Sequence, residues 1–170
     1  LPAAVGVCFA RDKMPTVCIA GDGSSMLNIQ ELQTIVHHKL PIKIFVLVND
    51  GYLSIRTTQD SYFKGLHIAS DRESGVSCPN FLKVAEAFGL SIESIRTNDE
   101  AEEKIRRVLS MPGPVLCTVN LDPKELMLPK SSSFMKPDGK MVSKPLEDMY
   151  PFLQREEFLE NMIIKPWSDD

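Results

Sequence analysis

The sequence is short of several features that would narrow its role at once. It has no apolar run near the roughly 18 residues a membrane-crossing helix needs, and no secretory leader pattern. It has no long basic run, and its net charge is −4. Neither nucleic acid nor a membrane surface is therefore indicated as a partner. Its four cysteines, Cys8, Cys18, Cys78 and Cys117, fit no C-x-x-C spacing. Cys18 and Cys117 lie in apolar, strand-like runs, where a thiol behaves as a small hydrophobe. Reduced thiols and a cytoplasmic setting are expected. There is no internal repeat and no low-complexity tract. An initiator Met is also lacking: Leu1-Pro2-Ala3-Ala4-Val5-Gly6 enters in mid-pattern, and the expectation is a piece of a longer polypeptide.

What is present is a soluble-domain composition, 170 residues with 43% apolar and 25% charged. Ala3 to Ala10 reads as a small-residue helix stopped near Pro15, and Val17 to Ala20 as a buried strand. A single helix is predicted from Ser24 to about Lys39, with Met26, Leu27, Ile29, Leu32, Ile35 and Val36 on one broad face. The unbroken run Ile42 to Val48 predicts a strand buried on both sides, as in a parallel sheet. Tyr52 to Phe63 is ambiguous, with a short helix one reading, and a long loop follows through about Ser77. Asn80 caps a helix from Phe81 to Phe88, stopped by Gly89, and Leu90 to Ile95 is a strand. A charged helix ends at Ser110 with Ile105, Val108 and Leu109 inward, and Val115 to Val119 is the last strand.

Strands alternating with helices predict an α/β fold, a doubly wound parallel sheet with helices on both faces and right-handed crossovers. After Asn120 prolines and serines take over. Residues 1–120 are read as one domain lacking its own beginning, and 121–170 as an extended C-terminal tail with a last short helix near Glu156 to Met162.

In such a sheet, ligands bind outside the carboxyl ends of the strands. Two turns stand there: Gly21-Asp22-Gly23-Ser24-Ser25 after the first strand and Asn49-Asp50-Gly51 after the second. A carboxylate, an amide oxygen and a main-chain carbonyl near Gly51 make an all-oxygen set suited to Mg²⁺ or Ca²⁺, whose shell is commonly completed by water and phosphate oxygens. A helix opening at Ser24 would offer free N–H groups to that phosphate. Asp22 and Asn49 can also be read as simple turn caps.

Gly21-Asp22-Gly23, followed after residues 24 to 48 by Asn49, is similar to the binding motif of thiamine-diphosphate-dependent enzymes. Gly21 to Thr34 resembles the G-D-G-S-x-x-x-N-x-Q-E-L-x-T pattern of the acetolactate synthase (acetohydroxyacid synthase) group. Leu1-Pro2-Ala3-Ala4-Val5-Gly6 and Leu40-Pro41-Ile42-Lys43 resemble that group's flanking segments. The resemblance implies thiamine diphosphate and Mg²⁺ as cofactors. Asp22, Asn49 and the Gly51 carbonyl would bind the metal. Gly23, Ser24 and Ser25 would hold the diphosphate through N–H and hydroxyl groups, Gly21 and Gly23 would let the backbone come close, and Tyr52 to Ile55, Leu53 among them, would pass near the cofactor. It also implies decarboxylation of a 2-oxo acid such as pyruvate and transfer of the two-carbon unit to an acceptor carbonyl. The family's catalytic Glu sits on a pyrimidine-binding domain of a neighbouring subunit, so the expectation is a homo-oligomer and a chain inactive alone; no catalytic residue is assigned here. Relatives often carry Gly and Met where this chain has Leu53 and Ser54.

Other readings stay beside this one. Asn49-Asp50-Gly51-Tyr52 also resembles simple 2-oxo-acid decarboxylases. Gly-Asp-Gly occurs in Mg²⁺-dependent phosphohydrolases too, but this chain offers only Asp12 upstream and no acid in Ser24-Ser25-Met26. A non-catalytic assembly module is the remaining alternative. Glu31 is expected at a surface or interface. His37 and His38 are expected at a helix end, where cations suit the dipole. His67 is a candidate to approach substrate, and Arg56 and Arg72 are read as solvated charges or substrate-carboxylate partners. Tyr150 and Trp167 are expected to dock the tail.

Overall fold

The computed structural model describes residues 1–125 and 127–166. Their contacts separate a first unit, Leu1–Lys124, from a second that begins at Glu125. The first unit runs α1 (Pro2–Ala10), β1 (Thr16–Gly21), α2 (Asp22–Met26), α3 (Glu31–His37), β2 (Ile42–Val48), α4 (Leu53–Tyr62), α5 (Phe81–Phe88), β3 (Ser91–Ile95), α6 (Ala101–Ser110) and β4 (Val115–Asn120). Its four strands form one parallel sheet in the order β1-β2-β4-β3.

That order explains which helix covers which face. The paths β1 to β2 and β2 to β3 advance the same way across the sheet, while β3 to β4 steps back. Right-handed crossovers therefore put the connecting helices of the first two on one face and that of the third on the other. On the first face, Ala4 and Cys8 of α1, Leu32 and Ile35 of α3, and Phe81 and Ala85 of α5 close over Ile42, Ile44, Val46 and Leu116. Burying each large side chain of this set contributes about 1.5–3 kcal/mol. On the second face, Val108 of α6 packs with Phe45, Ile95, Val115 and Cys117.

Several sequence expectations are corrected here. The helix predicted from Ser24 to Lys39 is two helices, because residues 27 to 33 tighten into successive i→i+3 turns (Leu27 N–H to Ser24 O, Glu31 N–H to Asn28 O, Leu32 N–H to Ile29 O). Ile29, Leu32, Ile35 and Val36 reach the core, while Met26 and Leu27 remain exposed. On α6 only Val108 is buried; Ile105 and Leu109 are exposed, because the helix meets the narrow β3–β4 side of the sheet. Strand β1 is buried on one face only. It lies at the sheet edge, beyond the reach of α6, and leaves Val17 52% and Ile19 68% exposed. Strand β2 is covered on both faces, yet one of its buried residues is Lys43. Its ammonium donates to the carbonyls of Met111 and Gly113 just past α6, and burial lowers its pKa.

The second unit holds a hairpin, β5 (Ser133–Met135) with β6 (Met141–Ser143), and α7 (Arg155–Asn161). Pro137-Asp138-Gly139 makes the hairpin turn, with Gly139 at φ 82° and the Asp138 carboxylate accepting the Lys140 N–H. Tyr150 bridges to Lys130 and meets the Phe152 ring edge-on within this unit, whereas Trp167 lies outside the described residues. No helix among the described residues is long and apolar enough to cross a membrane.

Candidate cofactor site

The parallel register pairs Gly21 with Leu47, so the turns after β1 and β2 leave the sheet side by side. Asp22, the first residue of α2, is wholly buried. Its Oδ1 accepts the Gly23 N–H at 2.7 Å, and its Oδ2 accepts the N–H groups of Asn49 and Gly51 at 3.1 Å each. Asp22 thus binds the second turn through main-chain amides, and it makes no ion pair among the described residues. A buried carboxylate without a cationic partner is costly, and amide donors offset only part of that cost.

Asn49, whose N–H donates to Asp22, carries in its Oδ1 the one buried side-chain polar atom among the described residues that has no hydrogen-bond partner. An orphaned acceptor next to an uncompensated carboxylate suits a hard cation. Among the described residues the Gly51 carbonyl accepts only the Leu53 N–H, at 3.2 Å, which leaves it a further lone pair. No group of three or more His, Cys, Asp or Glu among the described residues could hold a metal ion. A metal here would take one carboxylate, one amide oxygen and one carbonyl, and so would draw on phosphate and water for the rest.

Two glycines permit close approaches at these turns. A Cβ on Gly23 would sit 2.4 Å from the Tyr52 ring, so the ring can lie on this turn only because residue 23 lacks a side chain. Gly51 has φ 117°, and a Cβ there would come within 2.7 Å of the Ser70 carbonyl. Gly21 has ordinary extended geometry, and a Cβ there would meet the Ser24 Oγ at 3.9 Å, an ordinary contact. Ser24 is exposed, while the Ser25 hydroxyl turns inward and donates to the Gly21 carbonyl at 2.9 Å. The Gly23 N–H is taken by Asp22 Oδ1 and α2 has only five residues, so any hold on phosphate would rest on the remaining first-turn N–H groups more than on a helix dipole.

Arg56 takes a place that neither sequence reading of it expected. It is 6% exposed, and its guanidinium reaches the carbonyls of Asn49 (2.7 Å), Asp50 (2.9 Å), Ser70 (3.1 Å) and Pro123 (3.3 Å). It is therefore neither a solvated charge nor aimed at a substrate carboxylate. The available signal was its place on α4, one turn beyond Tyr52, whose carbonyl accepts the Arg56 N–H. Arg72, by contrast, is exposed and pairs with Asp50. His67 is bound between Asp60 (2.8 Å) and Asp71 (2.9 Å), which raises its pKa, chiefly through the Asp60 hydrogen bond. Glu31 stands in the first turn of α3, and His37 and His38 close that helix, His38 lying edge-on to Phe9.

Residues 1–119 match the family described as thiamine pyrophosphate enzyme, C-terminal TPP binding domain. The chain belongs to this family. The matched span takes in both turns and nearly all of β4. The chain is 36% identical to the acetolactate synthase isozyme 2 large subunit of Escherichia coli (strain K12), over 88% of its own length and 26% of that protein's. It is 33% identical to the acetolactate synthase large subunit of Haemophilus influenzae (strain ATCC 51907 / DSM 11121 / KW20 / Rd), over 86% of itself and 25% of the relative. It is 41% identical to that of Buchnera aphidicola subsp. Schlechtendalia chinensis, over 64% and 18%. The chain thus spans about a quarter or less of the length of these relatives. The acetolactate-synthase-like resemblance read from Gly21 to Thr34 is borne out. This TPP binding domain takes thiamine diphosphate as cofactor, with Mg²⁺ its usual partner. Family membership displaces the phosphohydrolase reading.

Proposed function

We propose that the two turns form the metal and diphosphate half of a thiamine diphosphate site. In this reading Asp22 and Asn49 hold Mg²⁺ by side chain and Gly51 by its carbonyl. Ser24 and Ser25 meet the diphosphate through N–H groups, with the exposed Ser24 hydroxyl added, and Gly23, whose own N–H is held by Asp22, lets the backbone come close. Gly21, Tyr52 and Leu53 flank the cofactor. The observation that carries this is the buried, unpartnered Asn49 Oδ1 beside a buried carboxylate without countercharge.

Thiamine diphosphate supplies the electron sink for decarboxylating a 2-oxo acid, and the protein supplies orientation and charge. The enzyme would be acetolactate-synthase-like, decarboxylating a pyruvate-like acid and passing two carbons to an acceptor carbonyl. Acetolactate rather than free aldehyde as product separates this from a simple decarboxylase. No catalytic acid is assigned within the chain. The residues serving the reactive end of the cofactor would come from a pyrimidine-binding domain of a neighbouring subunit in a homo-oligomer, so this chain alone is inactive. The exposed apolar side chains Leu27, Phe63, Leu66 and Ile68 support an interface on the α2 and α4 side. Four free cysteines, with burial pushing the Cys117 thiol up to about 11, support a reducing, cytoplasmic setting. Residues 1–120 would be the cofactor-binding domain and 121–170 its C-terminal tail.

Calorimetric titration of the natural polypeptide carrying this chain with thiamine diphosphate, with and without Mg²⁺, tests the assignment. Binding should require Mg²⁺ and should be lost in Asp22→Ala. Equal binding by both proteins sinks the metal-ligand reading.

A further inference from the structure

We infer that Arg56 is the positioning residue of the metal-binding turn: its buried guanidinium fixes residues 49–51 in the shape that presents Asn49 Oδ1 and the Gly51 carbonyl to the cation. The inference rests on the metal site proposed above and adds to it a residue that donates nothing to the metal.

The turn is gripped on its two edges by opposite charges. Its amides at Asn49 and Gly51 point to the Asp22 carboxylate, and its carbonyls at Asn49 and Asp50 point to the Arg56 guanidinium. Between these grips the backbone takes two successive positive φ angles, 62° at Asp50 and 117° at Gly51. A non-glycine residue seldom holds such a conformation unless its surroundings impose it. Arg56 supplies that constraint, and it also ties the turn to two remote segments. Nη1 reaches the Ser70 carbonyl, which also accepts the Tyr52 N–H at 2.9 Å, and Nη2 reaches the Pro123 carbonyl. The planar fork of arginine suits this work because each terminal nitrogen can serve two acceptors at once. No carboxylate pairs with Arg56 among the described residues, so the ordering of carbonyls is what its charge accomplishes.

The test uses the natural polypeptide carrying this chain, with Arg56→Lys, Arg56→Met and Asp22→Asn. Mg²⁺ affinity is measured by calorimetry in the presence of thiamine diphosphate. The electron paramagnetic resonance spectrum of Mn²⁺ bound in place of Mg²⁺ reports ligand geometry. The expected result is an affinity about tenfold or more weaker for Arg56→Lys, the loss typical when a residue that orients a ligand is replaced. A changed Mn²⁺ spectrum should accompany it. Arg56→Met should do the same if it folds, and Arg56→Lys, which keeps the cation, carries the test if it does not. Wild-type affinity and an unchanged spectrum in Arg56→Lys overturn the inference, provided Asp22→Asn has lost the metal. Metal binding by Asp22→Asn equal to wild type removes the site itself, and the role of Arg56 falls with it.

Discussion

Asp22 and Asp148 are both buried carboxylates, and they are satisfied in opposite ways. Asp148, 7% exposed, accepts two hydrogen bonds from Arg155 at 2.8 and 2.9 Å and one from Lys144 at 2.8 Å. Its charge is matched within its own unit, and the Arg155 hydrogen bonds above all hold its pKa below the usual carboxylate value. Asp22 has amide donors only, and an unpartnered amide oxygen stands beside it. A carboxylate that meets its cations inside the chain is a structural tie. One that is buried without them leaves a place for a cation to fill. Asp60 and Asp71 are a third case, since the cation between them is His67, whose charge depends on pH.

Three outcomes test this contrast between carboxylates. The largest effect belongs to Asp22→Ala. It strips an acceptor from the N–H groups of Gly23, Asn49 and Gly51, and unsatisfied buried donors cost about 1–3 kcal/mol each. Urea unfolding should show a loss of several such increments, with no added stability from Mg²⁺ and thiamine diphosphate. A variant that unfolds like wild type and is still stabilised by both would erase the distinction.

Asp148→Asn comes next, with a loss on the order of 2 kcal/mol, the scale of hydrogen bonds to charged groups. The loss should be confined to the second unit and leave cofactor binding unchanged. Hydrogen exchange across residues 144 to 158 is the measurement, and protection equal to wild type contradicts the tie. Because the folded pKa of Asp148 is depressed, its contribution is complete above the unfolded value near 3.8 and is lost as pH falls through the folded one.

The smallest effect concerns His67 and has the opposite sign in pH. Its folded pKa is raised, so its contribution is complete below the unfolded value of 6.5 and is lost as pH rises through the folded value. Protection factors in residues 60 to 74, corrected for the intrinsic pH dependence of exchange, should fall over that upward range in wild type and stay flat in His67→Gln. A pH-independent loop in wild type would remove the titratable case.

Much of the fold was legible because it is written in local periodicity. The Ile42–Val48 strand and the Asn80-capped Phe81–Phe88 helix stand where they were read. The capping is visible as the Asn80 side chain accepting the Lys83 N–H, with Gly89 left-handed at the other end. The helix after Gly23 was misread because Met26 and Leu27 extend an apolar pattern that the chain does not bury. No local rule distinguishes an apolar residue that faces the core from one on a rim. Strand β1 was misread for a related reason: its apolar residues are the same whether or not a helix covers their far side.

The two turns, the oxygen-bearing side chains on them and their places after two apolar strands are legible in the residues alone. Glycine, aspartate and asparagine at those spacings limit the local backbone and its chemistry. How the turns are held depends on long-range packing. The carbonyls that receive Arg56 lie 6, 7, 14 and 67 residues away along the chain. A guanidinium has no sequence signature for acceptors brought to it by a long loop and a distant strand end. The same packing left Asn49 Oδ1 buried without a partner, because burial and bonding are properties of a neighbourhood and not of a residue.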